Sequence, residues 1–212
     1  MSKKERKLTA REIERKVNYE KFCEKIEENG YIKQELTVGI LLANVAAIII
    51  MLPFIALIAW VNSAINSIGS VRFSLSTSII FLIFFLILVI LHEVIHGLTW
   101  GIFAKNHFHS ITFGVIWKAL TPYCTCSEPL KKWQYILGGL MPTMILGFGM
   151  AAISIVFRQP LLFVLSELMV LSGGGDFFIV LKMLLYSPKG NDVLYYDHPY
   201  ECGVVAFEKI KS

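Results

Sequence analysis

Residues 79–103 read IIFLIFFLILVILHEVIHGLTWGIF and contain a single charged side chain, that of Glu93. A helix needs about 20 apolar residues to cross the hydrocarbon core of a bilayer, so this stretch is long enough to span a membrane. Its second half contains His92, Glu93 and His96, which are costly to bury in lipid unless they are paired, hydrated or bound to a metal. The stretch therefore predicts a membrane-spanning helix with a polar site inside it.

The composition of the whole chain also indicates a membrane protein. Of the 212 residues, 55% are hydrophobic and 17% are charged, and the mean hydropathy is +0.61. A soluble body of 24.0 kDa has too little interior to bury that much apolar surface. This composition excludes most cytosolic enzymes, disulfide-rich secreted domains, disordered proteins and nucleic-acid-binding modules. We therefore expect the lipid bilayer as a partner and no nucleic acid.

Four apolar stretches predict an all-α membrane protein with four transmembrane helices. They lie at about 38–60, 79–103, 133–157 and 160–186. A small β-hairpin is expected after the second span, because Ile111, Phe113 and Val115 alternate with other residues and a second short run ends at Cys126.

The spans divide the chain into three predicted segments: a charged amphipathic helix within 1–37, a membrane catalytic domain at 38–186 and a tail at 187–212. The first helix, at about 10–29, is either solvated or lies on the membrane surface. Basic residues are concentrated in both end segments and in the 104–132 loop, which share one side of a four-span protein. The positive-inside rule then predicts a multi-pass cell-membrane protein with both termini and the hairpin on the cytoplasmic side.

The sequence His92-Glu93-Val94-Ile95-His96 has the spacing of a zinc site on a helix. Residues four apart share one helical face, so both imidazoles can reach one Zn²⁺ at about 2.0–2.1 Å. Glu93 can act as the general base on the attacking water and then protonate the leaving amine. The motif therefore predicts two metal ligands and one catalytic carboxylate.

Asp176 is the predicted third ligand, because a catalytic zinc usually has three protein ligands and an open position. It follows three glycines, 173–175, which either admit a close neighbouring helix or unwind the backbone. His96 and Asp176 lie at similar depths, within roughly one helical turn of each other. Glu167 is the alternative ligand, although it is expected on the opposite side of its helix. The pair Cys124/Cys126 is interpreted as loop cysteines, with metal contact as the alternative.

The arrangement resembles the site-2 protease group of intramembrane zinc metalloproteases, in which a third helix supplies an aspartate ligand. Residues 110–114 are similar to the membrane-associated β element of that group, whereas Phe177 departs from its Asp-Gly pattern. A closer resemblance is to a bacterial membrane family described as putative zincin peptidases. That resemblance rests on the motif helix and on the segments 126–130, 172–176 and 197–199. It implies a site-2-protease-like three-helix catalytic core and peptidase chemistry.

These observations predict a zinc metalloendopeptidase of the zincin type. Zn²⁺ is held by His92, His96 and Asp176, and Glu93 moves the proton. The expected substrates are membrane proteins or peptides, cut near the cytoplasmic face. A non-catalytic scaffold or regulator that retains the metal site, and a metal transporter, are the alternative functions.

Overall fold

The computed structural model describes residues 10–66, 74–116, 121–199 and 201–209. Residues 1–9 and 210–212 of the predicted end segments and the turn of the predicted hairpin, 117–120, lie outside the described residues.

Within the described residues, four helical segments are long and apolar enough to cross a membrane. These are Ile40–Ile65, Leu75–Phe103, Lys132–Val156 and Pro160–Leu185. Large apolar side chains such as Leu41 and Ile90 are exposed on the first two, as expected where lipid is the solvent. The predicted four spans are confirmed, and they are consistent with a multi-pass membrane protein. The orientation of the termini stays a prediction.

The elements alternate between these spans and short strands. The helices are α1 Ala10–Glu28, α2 Ile40–Ile65, α3 Leu75–Phe103, α4 Lys132–Pro142, α5 Met150–Val156, α6 Pro160–Ser172 and α7 Gly174–Leu185, with a 3₁₀ turn at His107–Ser110 and a π-helical turn at Thr143–Gly149 joining α4 to α5. The strands are β1 Tyr31–Val38, β2 Ile111–Ile116, β3 Thr121–Cys126, β4 Leu130–Lys131, β5 Asp192–Asp197 and β6 Cys202–Lys209.

A four-stranded antiparallel sheet corrects the prediction of an all-α protein with one hairpin. Its strand order is β1-β6-β5-β4, so the two ends of the chain meet in it. The pairing of β1 with β6 runs from Tyr31 opposite Lys209 to Val38 opposite Cys202. The two strands form backbone hydrogen bonds with each other although they lie near opposite ends of the sequence. A pattern within one short stretch cannot indicate which distant strand it pairs with.

Helix α1 packs on this sheet. Tyr19 and Ile26 are buried in one cluster with Val205 and Phe207 of β6, and the ring of Phe22 meets that of Phe207 edge-on at 5.3 Å. This contact covers the apolar face of α1 with protein, which agrees with a solvated helix that has one apolar side. The helix therefore belongs to the body that covers one end of the spans.

The predicted hairpin is present as β2 and β3, paired from Ile111 opposite Cys126 to Ile116 opposite Thr121. Its side chains contact α3 at Gly97, where a Cβ would lie 2.5 Å from the Phe113 ring. Cys124 and Cys126, interpreted as loop cysteines, lie on β3 and are buried. The hairpin is thus seated directly beside the histidine motif.

Candidate metal centre

Helix α3 presents two buried histidines on one face. His92 and His96 are 6% and 3% exposed, and their rings lie 4.9 Å apart between centroids. The four-residue spacing places the rings on successive turns, as the sequence predicted.

Asp176, in the first turn of α7, brings a carboxylate to both rings. Its Oδ2 lies 3.3 Å from Nε2 of His92 and 3.4 Å from Nε2 of His96. One ligand atom from each of the three residues lies within 4.8 Å of the others. The structure therefore brings together the three side chains predicted as ligands.

The glycine run before Asp176 explains how α7 reaches this position. Gly173 joins α6 to α7, and a Cβ there would lie 1.7 Å from Oγ1 of Thr143. A Cβ on Gly174 would lie 2.8 Å from Cβ of Ala47 on α2. The glycines thus interrupt the fourth span and also admit two neighbouring helices at close range, which combines the two alternatives considered for them.

Helix α4 fixes the orientation of His96. Nδ1 of His96 donates a hydrogen bond to the carbonyl of Gly138 at 2.8 Å, which leaves the lone pair on Nε2 facing Asp176. Trp100 stacks on the other side of the His96 ring at 5.0 Å and 15°. Sequence analysis missed this role of Gly138, because a backbone carbonyl has no residue-specific signal.

Glu93 lies beside the group without belonging to it. Its half-buried carboxylate accepts a hydrogen bond from the backbone N–H of Cys124 on β3. It also interacts electrostatically with His92, His96 and Asp176. A general base must lie beside the metal ligands without being one of them, and Glu93 has this position relative to His92, His96 and Asp176.

The alternative ligands do not join the group. Both carboxylate oxygens of Glu167 are buried and have no hydrogen-bond partner among the described residues. Neither Cys124 nor Cys126 belongs to the three-residue cluster found in the described part of the chain. Burial raises the pKa of both thiols above the usual value, that of Cys126 to about 12.

The donor set fits zinc. Two imidazole nitrogens and a carboxylate oxygen are common zinc donors, and atoms about 2.1 Å from a tetrahedral ion lie about 3.4 Å from one another. The distances of 3.3 and 3.4 Å between Asp176 and the two histidines match that spacing. They are longer than the roughly 2.7–2.9 Å of a charge-assisted hydrogen bond. The three residues are therefore spaced to hold an ion between them.

Four apolar helices and a His-His-Asp group with two buried histidines define the class: a mostly helical protein, consistent with a multi-pass membrane protein, with a candidate metal centre between its spans. The family model described as "Putative zincin peptidase" matches residues 85–191, just over half of the chain, and the chain belongs to this family. The matched range includes the motif end of α3 and all of α7. Neither a curated protein nor a solved structure matches the chain. Family membership indicates a zinc-binding metallopeptidase in general.

Proposed function

We propose that the protein is an intramembrane zinc metalloendopeptidase that cuts membrane-associated proteins or peptides near the cytoplasmic face. His92, His96 and Asp176 hold the zinc, and Glu93 is the general base. The observation that supports this most strongly is the spacing of 3.3 and 3.4 Å between the Asp176 carboxylate and the two imidazoles. The order of motif helix, returning helix and aspartate helix further supports a site-2-protease-like core.

Zinc, when bound, supplies Lewis-acid chemistry: it polarises the scissile carbonyl and makes a water molecule more acidic. Glu93 takes the proton from that water as the oxygen forms its bond to the carbonyl carbon. Glu93 then gives the proton to the leaving nitrogen as the C–N bond breaks. The Gly138 carbonyl keeps Nε2 of His96 directed toward Asp176 throughout, because it accepts a hydrogen bond from the Nδ1 N–H of the same ring.

The accessible side of the group is the side of Asp176. The side chain of Asp176 is 26% exposed, whereas those of His92 and His96 are 7% and 4% exposed. We therefore propose that water and a peptide bond approach past Asp176, because His96 is covered by the Gly138 carbonyl and the Trp100 ring. A hydrolase inside a membrane needs such a one-sided opening, since water is a reactant.

The edge of β3 is suited to hold the substrate in an extended form. Outward-facing backbone groups alternate along an antiparallel strand. On β3 the N–H of Cys124 faces Glu93 and the N–H of Cys126 donates to Asp197 at 2.7 Å, so this edge faces away from β2. A peptide that donates a backbone N–H to the outward carbonyl of Cys124, as an added strand, would lie beside Glu93.

Proline substitutions test this pairing. Cys124→Pro removes the N–H that donates to Glu93 and places a proline ring on this edge, so it should abolish cleavage, whereas Val115→Pro, on the outer edge of β2, should leave cleavage intact. Val115 pairs with Pro122, and its side chain is 41% exposed, which makes it a mild control. Cleavage that survives Cys124→Pro would contradict pairing at this edge.

The proposed function itself is tested by comparative membrane proteomics of cells that carry wild-type, Glu93→Gln or Glu167→Gln protein. Glu167 is the matched control, because it is another carboxylate of the spans that lies outside the His-His-Asp group. We expect fragments that are present with wild type and Glu167→Gln and that vanish with Glu93→Gln, with zinc content unchanged. Fragments that persist with Glu93→Gln would instead support the scaffold, and zinc flux in liposomes would support the transporter.

A further inference from the structure

Asp197 is a buried acid of β5 and connects two elements that flank the metal centre. Its side chain is buried, with the residue 8% exposed. Oδ1 accepts the hydroxyl hydrogen of Tyr135, in the first turns of α4. Oδ2 accepts the backbone N–H of Cys126 on β3 at 2.7 Å. One carboxylate therefore ties α4 and β3 to the sheet.

The hydrogen bond between Asp197 and Tyr135 connects Asp197 to His96 through α4. The carbonyl of Tyr135 accepts the indole N–H of Trp100 at 3.2 Å, and Trp100 stacks on the His96 ring. One turn further along α4, Gly138 accepts the hydrogen bond from His96. Helix α4 therefore holds the indole that stacks on His96 and supplies the carbonyl that accepts the hydrogen bond of this predicted zinc ligand.

The Asp197 carboxylate is also connected to Glu93, through the backbone of β3. The N–H of Cys126, held by Asp197, is two residues from the N–H of Cys124 that faces the Glu93 carboxylate. Both N–H groups lie on the same edge of the strand. A shift of β3 at Cys126 would move the hydrogen-bond donor of the predicted base.

We propose that Asp197 is a positioning residue of the metal centre, which holds α4 against His96 through the Tyr135 hydroxyl and holds β3 against Glu93 through the Cys126 N–H. Asp197 lies outside the range 85–191 that the family model matches. The four-stranded sheet, which contains Asp197, thereby helps to position the residues of the metal centre. The inference rests on the proposed function, because it assumes that His96 binds zinc.

Tyr195 provides a matched control two residues from Asp197 on β5. It is completely buried, and its hydroxyl has no hydrogen-bond partner among the described residues. Tyr195→Phe and Tyr135→Phe remove the same atom from buried tyrosines. Only Tyr135→Phe breaks a hydrogen bond, the one to Asp197, that connects to the metal centre.

The experiment uses the full chain purified in detergent, with zinc affinity measured by chelator competition and ligand geometry by the visible spectrum of the Co²⁺-substituted protein. Tyr135→Phe and Asp197→Asn should each weaken zinc binding by about tenfold and change the Co²⁺ spectrum, since supporting contacts of this kind typically contribute 10–100-fold in affinity. The double variant should be little weaker than Asp197→Asn alone, because that substitution already disrupts the hydrogen bond between Tyr135 and Asp197. Tyr195→Phe should match wild type.

The outcomes separate this inference from the proposed function. Wild-type affinity and spectrum in Tyr135→Phe, the milder variant, would overturn the role of Asp197 even if Asp197→Asn fails to fold. An effect of Tyr195→Phe as large as that of Tyr135→Phe would also overturn it, because the loss would then report general packing. A wild-type chain that binds neither metal would remove the proposed function together with this inference.

Discussion

Gly138→Ala should impair the metal centre without touching any predicted ligand. A Cβ at Gly138 would lie 2.0 Å from Nε1 and 2.1 Å from Cδ1 of Trp100, whose ring stacks on His96. Non-bonded heavy atoms require about 3.5 Å, so the ring or the helix must move by about 1.5 Å. Either movement disturbs a contact of His96, because the carbonyl that binds its Nδ1 also belongs to Gly138.

The expected magnitude has two parts. Overpacking a tight contact costs about 1–3 kcal/mol of stability, and the better helix propensity of alanine offsets up to about 1 kcal/mol of that cost. Loss of the orienting contact should weaken zinc binding about 10–100-fold, equivalent to about 1.4–2.7 kcal/mol. Zinc affinity should therefore fall about 10–100-fold even if the net loss of stability is small.

The neighbouring glycine supplies the control. A Cβ at Gly139 would meet Cγ2 of Val180 at 3.5 Å, an ordinary contact, so Gly139→Ala should bind zinc like wild type. Both variants can be purified in detergent and compared by chelator competition and thermal unfolding. Equal zinc affinities for Gly138→Ala and Gly139→Ala would refute the claim that α4 orients His96.

Two further predictions concern carboxylates. Asp176→Ala should reduce bound zinc far below one ion per chain, measured by elemental analysis, whereas Glu167→Gln should retain it; equal loss in both would show that zinc binding depends on general packing. Burial raises the pKa of Asp197 to about 6 from 3.8, so the folded chain holds this proton more tightly than the unfolded chain. That stabilisation is complete below about pH 4 and is lost as the pH rises through 6. Relative to Asp197→Asn, wild type should lose about 3 kcal/mol of unfolding free energy between pH 4 and 7. A difference that does not change with pH in denaturant titrations would contradict this.

The spans and the candidate site could be predicted because their signals are local. Apolar length locates the spans, and the spacing of His92 and His96 locates one helical face. Asp176 could be chosen over Glu167 because depth in a membrane follows from sequence position, with a fixed rise per residue. In a membrane-spanning helix, the position of a residue along the sequence thus predicts its approximate depth in the bilayer.

The sheet and the supporting contacts could not be predicted because their partners are distant in sequence. β1 contains Lys33, Gln34 and Glu35, which have no strand-like hydrophobic alternation, and its pairing with β6 supplies the missing stabilisation. Asp197 and His198 lie in the predicted tail at 187–212, yet both are buried. Their burial depends on α1, α4 and β3 converging on β5, which no local pattern encodes.

X-ray absorption at the zinc edge of the purified protein tests the central claim most directly. Two histidines and one aspartate predict a first shell of nitrogen and oxygen only, at about 2.0–2.2 Å, with scattering from two imidazole rings. The zinc signal per chain should fall sharply in Asp176→Ala, and zinc that this variant still binds in excess zinc should have one light-atom ligand fewer. A sulfur neighbour at about 2.3 Å, which would make Cys124 or Cys126 a ligand, or a spectrum unchanged by Asp176→Ala, would contradict the account.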